Sequence, residues 1–229
     1  MFLQGYGASI LGGAWVTLQL AVLSLALALV CGLVGAASKL SRSRLVSWPA
    51  TAYSTVLRGV PDLVMMLLVF YGGQVLVNEL TDALEWEPFD LNPFVAGVIT
   101  IGVIFGAYFT ETFRGAFLAV PAGQLEAGHA YGMTRWQVFS RILFPQMLRH
   151  ALPGIGNNWL VLVKSTAIVS MIGLSDMNFI AEQAGRTTHQ PFLFYMVVCA
   201  LYLAITGVSS SILGHLERKY SAGVRHSDF

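Results

Sequence analysis

The sequence predicts an all-α, polytopic membrane protein with five transmembrane helices. Three observations carry this. Of the 229 residues, 55% are hydrophobic and only 11% charged, whereas about a quarter of a soluble domain is charged. Residues 1–38, 91–110 and 187–214 contain no Asp, Glu, Lys or Arg, and a helix needs ~20 apolar residues rising ~1.5 Å each to cross a bilayer. Bases and acids, finally, fall in alternate connecting segments.

The first helix is expected at about 14–37, in the long run that ends at Lys39. It is not a cleavable leader, because it has no basic start and is too long for a signal h-region. The second, about 59–80, spans if Asp62 lies near an interface, and the third occupies about 91–113. A polar element follows at about 121–145. Pro121 and Gly123 open a short helix at 124–131, and Gly132 suits its left-handed C-terminal position. Thr134-Arg135-Trp136-Gln137 then reads as a capping box that starts a second short helix. That helix is expected to stop at Phe144, since Pro145 disfavours helical geometry in the residue before it. Trp136, Phe139 and Leu143 share one face, with Val138 and Ile142 beside it. The fourth span, about 153–174, carries Asn157, Asn158, Lys164, Ser165 and Thr166, so it should face protein or a water-filled cavity. The fifth is expected at about 191–214. Residues 1–229 read as one membrane domain.

Charge sets the expected topology. Lys39, Arg42, Arg44 and Arg58 lie between helices 1 and 2; Arg114, Arg135, Arg141 and Arg149 follow helix 3; Arg218, Lys219 and Arg225 end the chain. Glu79, Asp82, Glu85, Glu87 and Asp90 lie between helices 2 and 3, and Asp176, Glu182 and Arg186 between 4 and 5. The positive-inside rule puts the basic side in the cytoplasm, with the N-terminus outside and the C-terminus inside. A formal net charge of +1 argues against nucleic acid as a partner. Cys31 and Cys199 fall within expected spans and read as small packing residues. His129, His150, His189 and His215 have no metal-ligand spacing, and no nucleophile elbow or triad is present, so neither a metal, a cofactor nor catalysis is expected.

By physics alone the 121–145 element is either an amphipathic helix on the headgroups or a docking element for another protein. Glu126-Ala127-Gly128, Gly132 and Ile142-Leu143-Phe144-Pro145 resemble the EAA loop of bacterial ABC importer permeases. Gly128 stands where Ala is common in that family and Phe144 where Leu is common. The likeness continues through Arg58-Gly59-Val60-Pro61, Ala107-Tyr108-Phe109-Thr110-Glu111-Thr112-Phe113-Arg114-Gly115, Leu152-Pro153-Gly154-Ile155-Gly156-Asn157-Asn158-Trp159 and Leu162-Val163-Lys164-Ser165-Thr166-Ala167. These stretches are similar to polar amino-acid permeases, most of all the Q-type subunits of histidine and lysine/arginine/ornithine uptake systems.

The resemblance implies the ABC importer permease fold, a bacterial inner membrane location and uptake of basic amino acids. It implies that Glu126, Ala127, Gly128, Gly132, Trp136 and Phe139 form a cytoplasmic coupling element gripped by a separate ABC ATPase dimer. The chain itself has no phosphate loop, so it is not expected to be an enzyme. A second permease subunit and a periplasmic amino-acid-binding protein are the other implied partners. Asp62 is either an N-terminal acid favoured by the helix dipole or the carboxylate that pairs with a cationic substrate. Lys164 either organises packing or meets the substrate carboxylate, and Tyr108 and Asn157 are further candidates for the cavity. Glu111 and Arg114, at i and i+3, suit a positioning ion pair. Another polar amino acid or an opine-like arginine derivative would fit the same class. A self-contained secondary carrier or channel is the competing class, but it would need more helices or inverted repeats.

Overall fold

A computed structural model describes residues 2–87 and 89–220; Arg225, counted with the basic tail, lies outside them. After a 3-10 turn at Phe2–Gly5 come α1 (Gly7–Lys39), α2 (Arg44–Gly59), α3 (Asp62–Ala83), α4 (Pro93–Leu118), α5 (Ala122–Ala130), α6 (Arg135–Ile172), α7 (Met177–Thr188) and α8 (Pro191–Tyr220). Among the described residues, α1, α3, α4, α6 and α8 are long and apolar enough to cross a membrane. The all-α class with five membrane-length helices therefore holds.

α4 is the most buried span and the axis of the fold. Asn92 starts it by accepting hydrogen bonds from the amides of Phe94 (2.9 Å) and Val95 (3.4 Å), with Pro93 preset in the first turn. α1 lies along α4 in parallel: Leu27 meets Gly102, Cys31 meets Gly106, and Gly35 meets Thr110, so contacts climb both helices together. Small residues on both sides let the backbones approach, which in lipid replaces the hydrophobic drive that water would supply. Leu20, Ala28, Phe105, Phe109, Leu162 and Val169 form the main core around this seam. A second, smaller cluster of Ile10, Met177, Ala181, Phe194 and Val198 joins α1, α7 and α8.

Three departures from expectation have identifiable causes. The second short helix does not stop at Phe144: α6 runs 38 residues without a break. Its α-helical start, Arg135–Val138, passes through a π turn at Phe139–Leu143, where the Phe144 amide donates to the Phe139 carbonyl. Pro145 has no N–H to place, and the wider turn accommodates its ring at the start of the next α-helical stretch. The fourth span thus begins well before Pro153, which lies inside the helix, and it closes with a 3-10 segment at Thr166–Ile172. α2 and α7 are the other differences, since helices occupy segments expected only as connections. α7 starts on Asp176, whose side chain accepts from the Phe179 amide at 2.9 Å.

Candidate functional site

Two regions hold the residues singled out by sequence. The first is the polar element. α5 ends in a Schellman motif: the Gly132 amide donates to the His129 carbonyl (3.0 Å) and the Met133 amide to the Gly128 carbonyl (3.1 Å), while Gly132 takes φ +78°. Thr134 then completes its capping box. The Gln137 amide donates to its hydroxyl at 3.3 Å, and its own amide donates to the Gln137 side chain at 2.8 Å. The two short helical pieces fold back on each other, pinned by Gln146 donating to Gln124 at 2.6 Å.

Gly128 sits at their crossing. A Cβ there would lie 2.7 Å from Ile142 Cδ1 and 3.1 Å from Val138 Cγ2. The intrinsic helix cost of this glycine, up to ~1 kcal/mol, thus accompanies a close approach. Val138 is the buried member of the expected apolar group, whereas Trp136 is 71% exposed and stacks on Phe139 with centroids 5.6 Å apart. Glu126 and Ala127 are exposed beside them. A groove of about 410 Å³ opens between the pieces, lined by Ala127, Gly128, Tyr131 and Arg141 among others. Exposed aromatic and small residues over a rigid double turn make a surface that another chain can hold.

The second region is the start of α3. Pro61 is the N-cap, and Asp62 opens the helix. Ser165 of α6 donates to Asp62 Oδ2 at 3.4 Å. Four residues before Asp62, the Arg58 guanidinium lies over the Tyr108 ring of α4, 5.5 Å from its centroid. The 58–62 segment therefore bridges α4 and the far end of α6. Lys164, next to Ser165, is exposed, and so is Asn157. Pro153, Asn157, Val161 and Lys164 follow i, i+4, i+8, i+11 spacing, so they line one open face of α6. The neighbouring Asn158 instead donates to Thr112 at 3.0 Å and ties α6 to α4. Asp62 and Tyr108 thus meet different partners, Ser165 and Arg58, at the two ends of the 58–62 segment, while Asn157 and Lys164 share an exposed face of α6.

Glu111 and Arg114 form the expected pair, Nε to Oε2 at 2.8 Å. Sequence reasoning missed two further members. Lys39, at the end of α1, also pairs with Glu111, and Ser54 of α2 joins both, accepting from Lys39 at 2.9 Å and donating to Glu111 at 3.3 Å. The only sequence signal for Lys39 was its position as the first charge after a long apolar run. Arg58 over Tyr108 and Ser165 on Asp62 are contacts across 50 and 103 positions, which no local pattern encodes.

Comparison with known proteins identifies the family and the fold. Residues 24–221 match the family described as binding-protein-dependent transport system inner membrane component. The chain is 54% identical, over 99% of itself and of the relative, to the histidine/lysine/arginine/ornithine transport system permease protein HisQ of Escherichia coli (strain K12). It is 38% identical, over 89% of itself and 91% of the relative, to the arginine ABC transporter permease protein ArtQ of the same organism. Among solved structures, an amino acid ABC transporter crystallised with histidines contains a chain that superposes with a TM-score of 0.80 at 30% identity, covering 93% of this chain and 95% of that one.

Proposed function

We propose a transport role from one premise: this chain belongs to the family of binding-protein-dependent transport system inner membrane components. It is a multi-pass permease of an ABC importer and not itself an enzyme; such permeases work with a separate ATPase subunit and a substrate-binding protein. Its cargo, on our reading, is basic amino acids: histidine, lysine, arginine and ornithine. The observation that carries this is the 54% identity across almost the full length of a permease named for those four substrates.

The residues supply a mechanism for that reading. Asp62, at the inner end of α3, offers a carboxylate to a cationic side chain, and Tyr108 meets Arg58 at the other end of the 58–62 segment. Lys164 and Asn157, on an open face of α6, are costly against lipid and favour a water-filled path shared with a second permease chain. A heterodimer with a similar subunit would enclose that path. The surface formed by Glu126, Ala127, Gly128, Gly132, Trp136 and Phe139 is where the ATPase dimer would dock, and the basic segments support a cytoplasmic placement for it. The N-terminus then lies in the periplasm and the C-terminus in the cytoplasm. ATP binding would displace the element and switch the path between its two openings, a coupling between distinct sites through a rigid part.

Reconstitution in liposomes with a partner permease, the ATPase and the binding protein tests this directly. Uptake of labelled arginine and histidine should require ATP and every subunit; uptake driven by an ion gradient through this chain alone would overturn the proposal. Asp62→Asn should raise the half-saturating arginine concentration about tenfold, equivalent to ~1.4 kcal/mol. Unchanged arginine uptake would remove Asp62 from the path while leaving the importer assignment intact.

A further inference from the structure

α2 is amphipathic, with a broad apolar arc and a polar side that carries Arg44, Thr51 and Arg58. Its inner side is fixed to the bundle: the Tyr53 hydroxyl donates to the Val103 carbonyl at 2.6 Å, Ser54 joins Lys39 and Glu111, and Leu57 is buried. On the opposite side Leu45, Trp48, Ala52 and Val56 follow i, i+3, i+7, i+11 spacing and form an apolar stripe. Leu45 is 89% exposed and Trp48 74%. A shallow groove of about 630 Å³ runs beside the stripe, between Arg44, Leu45, Trp48 and Thr51. Arg42 and Arg44 are exposed at the start of the helix, and the sequence contains no Asp or Glu before Asp62.

Depth follows from the polar network. Ser54, near the middle of α2, meets Lys39, the last residue of the first span. The Ser54 part of the helix therefore lies level with the end of a transmembrane segment, and Tyr53 reaches inward from it to Val103, which sets α2 at the boundary between acyl chains and headgroups. An indole is favoured at that boundary, and the exposed cations Arg42 and Arg44 complement anionic headgroups.

We propose that α2 is an interfacial helix that binds anionic phospholipid: Leu45, Trp48 and Val56 enter the acyl boundary while Arg42 and Arg44 pair with lipid phosphate. Charge complementarity and continuity with the end of α1 select lipid over a protein partner. The proposal rests on the reading of the chain as a membrane permease only in requiring a bilayer. Each arginine contributes about fivefold to anionic-lipid preference, the equivalent of ~1 kcal/mol per basic residue at a charged surface.

The test uses the assembled transporter in nanodiscs of phosphatidylcholine mixed with phosphatidylglycerol. A nitroxide is placed at Val56→Cys in a Cys31→Ser/Cys199→Ser background, and its collisions with oxygen and with a water-soluble nickel chelate are compared. Oxygen should dominate. Dominance of nickel, or shielding from both quenchers as under another protein chain, would overturn the proposal. In parallel, native mass spectrometry should show phosphatidylglycerol retention falling about fivefold per arginine in Arg42→Gln and Arg44→Gln variants; retention unchanged in the double variant would also overturn it. Neither measurement needs substrate or ATP, so failure of the transport reading and failure of this one remain distinguishable.

Discussion

Glu111→Gln should be among the most damaging single-atom changes in the molecule. The carboxylate lies on α4 and holds Lys39 of α1, Ser54 of α2 and Arg114 of its own helix. Side-chain exposure is 13% for Lys39, 21% for Glu111 and 38% for Arg114, so the Lys39 side of the network is the drier one. Hydrogen bonds to charged groups contribute about 1.5–3 kcal/mol each, and stripping one partner from a fully buried pair costs about 3–5 kcal/mol. Partial solvation lowers that figure, and the exposed Arg114 arm adds no more than about 1 kcal/mol. A loss of about 2–3 kcal/mol is expected, nearly all of it from leaving Lys39 uncompensated. The assay is reversible unfolding by SDS titration in mixed micelles, followed by circular dichroism. The control is Lys39→Met with Glu111→Gln, which removes the stranded cation and should recover to within about 1 kcal/mol of the parent. A single variant within about 0.5 kcal/mol of the parent, or a double variant no better than the single, would refute the reasoning.

Three further outcomes are expected. Gly13→Ala should destabilise the packing of α1 on α7 sharply, because the new Cβ would lie 2.7 Å from the Met177 amide nitrogen and 2.8 Å from its Cα; backbone cannot rotate away, and limited proteolysis at the α7 connection should accelerate. Gly132→Val should cost about 1–3 kcal/mol, since a β-branched residue is strained at φ +78°; weakened ATPase capture by pulldown, with the spans intact by circular dichroism, is the readout. Asp176 is fully buried, and that burial pushes its carboxyl above the usual range against the hydrogen bonds from Phe179 and Asn178. A raised folded-state value means the native state holds the proton longer, so its contribution to stability is full in acid and falls as pH rises from the ordinary carboxylate range through the raised one. Asp176→Asn keeps the cap and should flatten that slope in SDS titrations across pH.

The sequence carried the local features well. Hydropathy with the alternation of charged segments gave five spans, the fourth with its start misplaced; Gly132 and Thr134 gave the double turn, and i, i+3 spacing gave Glu111 with Arg114, because those last signals lie within one or two helical turns. Pro145 misled for an instructive reason. The rule against helix before proline assumes an α-helical ladder, and a π turn at Phe139–Leu143 changes the ladder. α2 was missed because Arg44–Gly59 is an amphipathic helix too short and too polar to read as a span, and Pro49 lies inside it. Asp62 could be marked as unusual from its position, but Ser165, 103 residues away, belongs to the tertiary fold.

The unbroken course of α6 gives the molecule a lever. Trp136, on the exposed double turn, and Ser165, on Asp62, belong to one helical rod. At ~1.5 Å per residue they are up to ~43 Å apart along it. A tilt of about 5° at the foot then sweeps the far end by ~4 Å, more than the reach of a hydrogen bond. A small displacement imposed at the double turn is thus enough to make or break the Asp62–Ser165 contact, with no need for the helix itself to bend.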